Sequence, residues 1–500
     1  MHQCLHVEEI FHLVVEETVN LGYPSAISLA CTCLTFEAAV MEVLWGSHQT
    51  DLVDLLRCFP IEVWEIRESD SGKLHFDFRR SPLPSEWKRV NRYASWMRNL
   101  NIYEDWAGPT LSPKAWQDLS AISPVHLLPN LQSLEWYSAP DTFIYINLFR
   151  SPRLTSLNVR VIPNTPNLVP ILGSLPIETL EELRFLDLSG DRAVQDAISN
   201  LVLRTTATLR SIEVSSDLSD AAIRHVIRLP NLSDASVTFA NLDRPAASRD
   251  AIFPSLRTLE TRLDDKGGWK YFMEDTMNLE SIVLHSLAVL QPEEVVTAFG
   301  FLINKGFHRT MHRLSFAVFE PCDLTPPVLA PLLNFGSLTR LSVTSPCDPT
   351  QCKSRLTNGA LARLAEALPH LVELFLGDAP CASPARGITL AGLRPLSDHC
   401  THLKTLQVHF SAHDVRLDIP DDALSNPSDQ PPLGPNHCHL FQLVVGRLPI
   451  STSGKSPLIV AYFLHQMFPR LSKILWVDRN SPWKQVQEHV DMFQKYRPKK

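Results

Sequence analysis

Leu183-Arg-Phe-Leu-Asp-Leu188 reads Leu-x-x-Leu-x-Leu, and the phrase recurs down most of the chain. Its alternating tail suits a short strand with one buried face. A strand that short is not stable alone, so each copy has to lean on its neighbours. With an aliphatic or aromatic residue allowed in the last two apolar places, thirteen copies begin at Leu131, Leu154, Leu183, Leu209, Leu232, Leu256, Leu279, Leu314, Leu338, Leu371, Leu403, Leu440 and Leu471. Three apolar positions match often by chance in a chain that is 44% hydrophobic, so the context of the copies has to decide. Six of the thirteen leucines have proline two residues earlier, at Pro129, Pro152, Pro230, Pro254, Pro369 and Pro469, where 38 prolines in 500 residues predict about one. Proline stops a preceding helix and biases the residue before it to an extended backbone, so it marks a helix-to-strand corner. The whole unit is visible in Leu361 to Leu376: helical Ala362, Leu364, Ala365 and Leu368, the turn at Pro369, then Leu371, Leu374 and Leu376.

The copies lie 23 to 37 residues apart, against about 20–29 for a leucine-rich repeat, and the asparagine or cysteine usual after the phrase is replaced by residues such as Ala139, Asp191, Asp217 and Pro346. They are degenerate leucine-rich repeats. Strand plus helix at this period predicts an α/β fold, a right-handed leucine-rich-repeat solenoid spanning 127–478. Helices are expected at Ala193–Leu203, Asp220–Leu229, Pro292–Asn304 and Leu390–His399, and a surface loop at Pro420–Pro435. Residues 479–500 are expected to form a capping helix, through Trp483, Val486, Val490 and Phe493, with a basic tail.

Ahead of the repeats, Val7, Ile10, Phe11 and Val14 fall at helical spacing, with Leu13 alongside. Gly22, Tyr23 and Pro24 break that helix. Ser25 then caps a second one carrying Ile27, Leu29, Ala30, Cys33 and Leu34, and a third runs through Ala38, Ala39, Val40, Val43, Leu44 and Trp45. Three short helices make a small core and leave apolar surface for a partner or for the next domain.

Leu5-His-Val-Glu-Glu-Ile10, Ser28-Leu-Ala-Cys-Thr-Cys-Leu-Thr-Phe36 and Val43-Leu-Trp45 together resemble the F-box of fungal proteins. The resemblance covers residues 1–46 and implies an N-terminal F-box-like three-helix segment that docks on the Skp-type adaptor of a cullin ubiquitin ligase. On that reading Leu5, Val7, Ile10, Phe11, Val14, Leu29, Cys33 and Phe36 contact the adaptor, and the repeats hold an unknown protein substrate. The proline that opens the motif in the family is replaced here by His6 or Glu8, according to register. The alternative is a repeat-based interaction scaffold unrelated to ubiquitin, its helices merely capping the first repeat.

Residues 47–126 connect the two parts. A helix is expected from Asp51 to Phe59, a strand at Leu74–Phe78, and a helix from Pro84 to Leu100 that places Trp87, Val90, Tyr93, Ala94 and Met97 near one face. Met97-Arg-Asn-Leu-Asn-Ile102 already has the repeat pattern, so the solenoid is expected to begin before residue 130.

Counting positions, the concave face falls to Glu135, Tyr137, Arg160, Asp187, Glu213, Glu260 and Arg262, the candidate substrate face, with His285, Glu373 and His409 further on. A net charge of −8 argues against a nucleic-acid partner. No stretch is apolar for long enough to span a membrane, and the acidic start, with no Lys or Arg before Arg57, is unlike a signal or transit peptide. An intracellular protein of cytoplasm or nucleus is expected. No catalytic motif is present, and no enzyme activity or cofactor is expected. Cys31 and Cys33 read as small buried hydrophobes. Cys347, Cys352, Cys381 and Cys400 with His399 and His402 lack the CxxC pair that closes a zinc site, so no metal is expected.

Overall fold

A computed structural model describes residues 8–47, 51–103, 108–123, 126–137, 140–161, 168–175, 177–187, 190–239, 253–263, 278–286, 291–319, 324–346, 355–377, 387–412, 438–446, 450, 456–477 and 481–495. The chain divides into two compact units, Met1–Thr238 and Phe239–Lys500.

Three helices open the first unit: α1 (Glu8–Asn20), α2 (Tyr23–Ala30) and α3 (Leu34–Ser47). Their shared core is Phe11, Val15 and Val19 of α1, Ala26 and Ala30 of α2, and Ala39 and Val40 of α3. The spacing of four keeps the α1 residues on one stripe, and the small α2 side chains let the helices approach closely. Three expectations are corrected. Ile10, Leu13 and Val14 fall outside the Phe11, Val15 and Val19 stripe and are exposed at 40%, 58% and 39%. Pro24 opens α2 instead of merely breaking α1, because in a first turn its missing N–H is not needed, while Gly22 at φ 120° makes the bend. Cys31 and Cys33 fall in the turn between α2 and α3 and are exposed, not buried.

In the connecting region the strand at Leu74–Phe78 is where it was expected, whereas both helices are shorter than expected and two further strands and a helix are added. It contains α4 (Leu52–Leu56), an antiparallel pair β1 (Trp64–Glu68) and β2 (Leu74–Phe78), α5 (Trp87–Ala94), β3 (Asn99–Tyr103), β4 (Thr110–Leu111) beside β2, and α6 (Pro113–Ile122). Asp51 caps α4 by accepting the amide of Val53 at 3.2 Å. The parallel sheet of this unit starts at β3, as Met97–Ile102 led one to expect. It continues through β5 (Ser133–Tyr137), β6 (Ser156–Val161), β7 (Glu182–Asp187), β8 (Ser211–Val214) and β9 (Asp234–Ser236). Helices α7 (Leu168–Ser174), α8 (Arg192–Leu203) and α9 (Asp220–Val226) lie between successive strands.

The second unit repeats the plan with eight parallel strands, β10 (Thr258–Leu263), β11 (Ser281–Ser286), β12 (Arg313–Val318), β13 (Arg340–Thr344), β14 (Glu373–Leu376), β15 (Thr405–Val408), β16 (Gln442–Gly446) and β17 (Lys473–Trp476). Between them run α10 (Pro292–Asn304), α11 (Pro326–Leu329), α12 (Asn358–Ala367), α13 (Arg394–His399) and α14 (Ser456–Met467), and α15 (Trp483–Lys495) follows β17. The last strand would leave unpaired backbone groups at an edge. Gln487 of α15 covers it, its Oε1 accepting from the Ile474 amide at 2.6 Å and its Nε2 donating to the Ser472 carbonyl at 3.0 Å. The expected loop at Pro420–Pro435 lies outside the described residues.

Proline has a more local role than stopping helices. In Leu128–Leu131, Ser151–Leu154, Phe253–Leu256, Leu368–Leu371 and Phe468–Leu471 the leucine amide donates to the carbonyl three residues back, at 3.0–3.3 Å. Each is a β-turn with proline at its second position, which suits proline's fixed φ. Just past the turn, two consecutive amides share one carbonyl of the preceding repeat. Thr155 and Ser156 donate to Gln132 at 2.8 and 2.9 Å, and Glu181 and Glu182 to Thr155 at 2.7 and 2.9 Å. The same step recurs before most parallel strands of both units and sets their phase.

The phase corrects the opening phrase. Leu183 pairs with Leu157 and Ile212, the second apolar place of their copies, so the repeat here is Leu180-Glu-Glu-Leu183-Arg-Phe185. Leu180, Leu183 and Phe185 are buried, while Leu186 is partly exposed. The copy assigned to Leu314 shifts likewise: Met311, Leu314 and Phe316 are inside, and Phe319 is 58% exposed.

Candidate functional site

Among the described residues, the helical trio leaves apolar side chains of α1 and α2 exposed outside its core. With Phe11, Val15 and Val19 turned inward, Ile10, Leu13 and Val14 form a second apolar stripe on α1. On α2, Tyr23 and Ile27 stand four residues apart and are exposed at 57% and 52%. Leaving apolar side chains in water forgoes about 1.5–3 kcal/mol for each that could be buried. Of the residues expected on the adaptor surface, Ile10, Val14 and Cys33 are exposed, Leu29 and Phe36 are partly buried against the trio's core, and Leu5 and Val7 lie outside the described residues. Phe11 is a core residue, its ring 5.1 Å from that of Phe36. α3 is engaged elsewhere: Trp45 stacks on Tyr93 at 5.2 Å, and Asn99 at the head of β3 donates to the Gly46 carbonyl at 3.1 Å.

The outward face of the first sheet is a row set by register. Asn101, Glu135, Asn158, Arg184, Glu213 and Ser236 stand side by side on successive strands. Tyr103 and Tyr137 stack at 5.1 Å two residues further along, and the Tyr103 hydroxyl donates to Glu135 at 2.6 Å. Burial and then the Glu135 carboxylate push the Tyr103 phenol up, and the same two causes raise Tyr137. Arg184 pairs with Glu213 at 3.3 Å. Counting from Leu183 had placed Asp187 in this row. The register puts Arg184 there instead and leaves Asp187 at the strand end opposite Val161, its amide donating to Ser215 at 2.8 Å. Arg160 is exposed at the far end of β6. Reading the phrase from Leu180 would have found Arg184, and reading it from Met97 would have found Asn101.

Glu260 and Arg262 belong to the second unit. His285 bonds to Glu260 at 2.9 Å and, as the first cause, holds its carboxyl below the usual range. His409, expected outside, is buried beside Gly377, whose φ of 83° brings the chain close to the imidazole. These faces offer hydrogen bonding, ion pairing and apolar contact.

Cys347, Cys352 and Cys381 lie outside the described residues, and Cys400 is buried with Sγ donating to the Leu368 carbonyl at 3.5 Å. Among the described residues no three His, Cys, Asp or Glu side chains converge on a metal position. None of the described helices is long and apolar enough to cross a membrane.

The fold is of leucine-rich-repeat type. No protein-family model matches the chain, and no curated protein matches it. Among solved structures it is similar to a leucine-rich-repeat protein of Leptospira interrogans, at 13% identity and a TM-score of 0.30, over 88% of this chain and 92% of that one. The repeat assignment rests on the turns, ladder and strand register described above.

Proposed function

We propose that the chain is a binding protein that does no bond chemistry: the N-terminal helices dock a Skp-type adaptor, and the repeats hold a protein target for a cullin ubiquitin ligase. The observation that carries this reading is the second apolar stripe of α1, exposed on a helix whose other face is already filled. An exposed apolar stripe on a small helical bundle is what an interface core needs. The F-box-like residues Ile10, Leu29, Cys33 and Phe36 lie within or beside that trio. For the target, the tyrosine pair and the charged row of the first sheet supply an aromatic anchor with polar neighbours, the composition of an interaction surface.

The test is a pull-down of a Skp-type adaptor by the full chain and by the I10D/L13D/V14D variant. These side chains are exposed, so far-UV circular dichroism of the variant should match that of the parent. Loss of the adaptor by the variant alone supports docking; failure of the parent chain to bring the adaptor down refutes it. The second reading is a repeat scaffold unrelated to ubiquitin. It is favoured by the packing of α3 on the first turn through Trp45, Tyr93 and Asn99, which is what a cap requires.

A further inference from the structure

A different surface lies on the second unit, on the rim where each turn enters its strand. A groove of about 470 Å³ opens there. His370, His402 and His439 each stand one residue before the first buried leucine of their copies, so the same place in three successive turns carries an imidazole. Arg470 holds that place in the next turn, while His312 and Lys404 sit two residues further along their own phrases, just after Met311 and Leu403. All six side chains are exposed.

The hydrogen bonding shows what the groove presents to a ligand. The Thr339 hydroxyl donates to the His312 carbonyl at 3.0 Å and the Ser337 hydroxyl to the Arg309 carbonyl at 3.5 Å, so both hydroxyl protons are engaged. His312 Nδ1 is 3.1 Å from the Ser337 carbonyl, an oxygen that only accepts, so that nitrogen carries hydrogen. His439 Nδ1 lies 2.8 Å from the Arg470 guanidinium, a group that only donates, so in His439 the hydrogen is on Nε2. Among the described residues no carboxylate lines the groove. Arg210, Arg257 and Arg340 each pair with a glutamate of a neighbouring turn, whereas Lys404 has no ion-pair partner among the described residues.

We propose that this rim groove binds an extended acidic peptide segment of about four or five residues. Neighbouring strands lie about 4.8 Å apart, so four successive places span about 15 Å, the reach of that length of extended chain at about 3.3 Å per residue. A single small anion would touch one or two of these side chains, whereas a run of carboxylates meets the whole row. The inference rests on the reading of the chain as a binding protein but uses none of the α1 or α2 surface.

The test is fluorescence anisotropy of labelled pentaglutamate and pentaglutamine with the full chain at low ionic strength. Pentaglutamate is expected to bind at least roughly tenfold more tightly than pentaglutamine, and K404E and the H370A/H402A pair each to weaken it by roughly tenfold. Raising the salt to about 0.5 M should weaken it further, since Lys404 and Arg470 are exposed. The I10D/L13D/V14D variant should bind the peptide like the parent, which separates this site from adaptor docking. Equal binding of the two peptides, or pentaglutamate binding that K404E and H370A/H402A leave unchanged, overturns the proposal. So does full competition by inorganic phosphate at the peptide's own concentration, which would mark a simple anion site.

Discussion

Leu180→Ala and Leu186→Ala remove the same three carbons from leucines six residues apart, and they separate the two possible phases of the repeat. In the observed register Leu180 is 1% exposed while Leu186 is partly exposed at the sheet face. Truncating a fully buried leucine loses its transfer free energy and leaves a cavity, a cost of about 2.7–5 kcal/mol. The same truncation at a partly solvated site costs about 1 kcal/mol or less. A gap of about 2 kcal/mol or more corresponds to roughly a thirtyfold difference in the unfolding equilibrium. Seven of the ten tryptophans lie before residue 239, so tryptophan fluorescence in a urea titration mainly follows the first unit. With a denaturant slope of about 2–3 kcal/mol/M, L180A should lower the midpoint by about 1 M or more and L186A by less than about 0.5 M. Equal shifts, or a larger shift for L186A, would refute the register and restore the phrase at Leu183 as its own repeat.

Burial raises the Asp51 carboxyl to about 6, above its ordinary value of 3.8. The folded chain therefore holds that proton more tightly than the unfolded one, and the associated stability is present below about pH 4 and lost as pH rises through about 6. D51N keeps a capping oxygen and should remove this pH dependence, gaining on the order of 1–3 kcal/mol at pH 7 in urea titrations compared at pH 4 and 7. Burial also pushes the Cys400 thiol up to about 12 and Cys438 to about 11, whereas Cys31 and Cys33 are exposed. Iodoacetamide labelling read by peptide mass spectrometry should modify Cys31 and Cys33 in the native chain and leave Cys400 and Cys438 untouched until denaturant is added. A Cβ at Gly387 would run into the backbone carbonyl of Leu356, but one at Gly300 in α10 meets nothing within 4 Å. Thermal melts should therefore show G387A losing about 1–3 kcal/mol and G300A gaining about 0.5–1 kcal/mol.

Much of the repeat was legible because its two signals are local. Buried apolar places recur with period two in a strand, and a proline at the second position of a β-turn needs only four residues to take effect. The helices at Pro292–Asn304, Ala193–Leu203 and Trp483–Lys495 were likewise carried by their own apolar spacing and by the prolines and acidic residues at their starts. The candidate surfaces were less legible. Both faces of α1 are apolar, so helical spacing alone could not tell Phe11 and Val15, which pack, from Ile10 and Leu13, which do not. The histidine rim gave no motif at all, since its members are 32 and 37 residues apart and meet only when the turns stack.

By itself, then, the sequence determined that this chain is a series of strand-and-turn units, because burial pattern and turn chemistry act within a few residues. Only the tertiary structure decided the phase. Leu180–Phe185 and Leu183–Leu188 satisfy the same pattern, and the choice between them is made by the carbonyl of Thr155 in the preceding repeat, which accepts the amides of Glu181 and Glu182. That one hydrogen-bonded step turns Arg184 instead of Asp187 into the row beside Glu135 and Glu213, and with it sets the charge that the face presents.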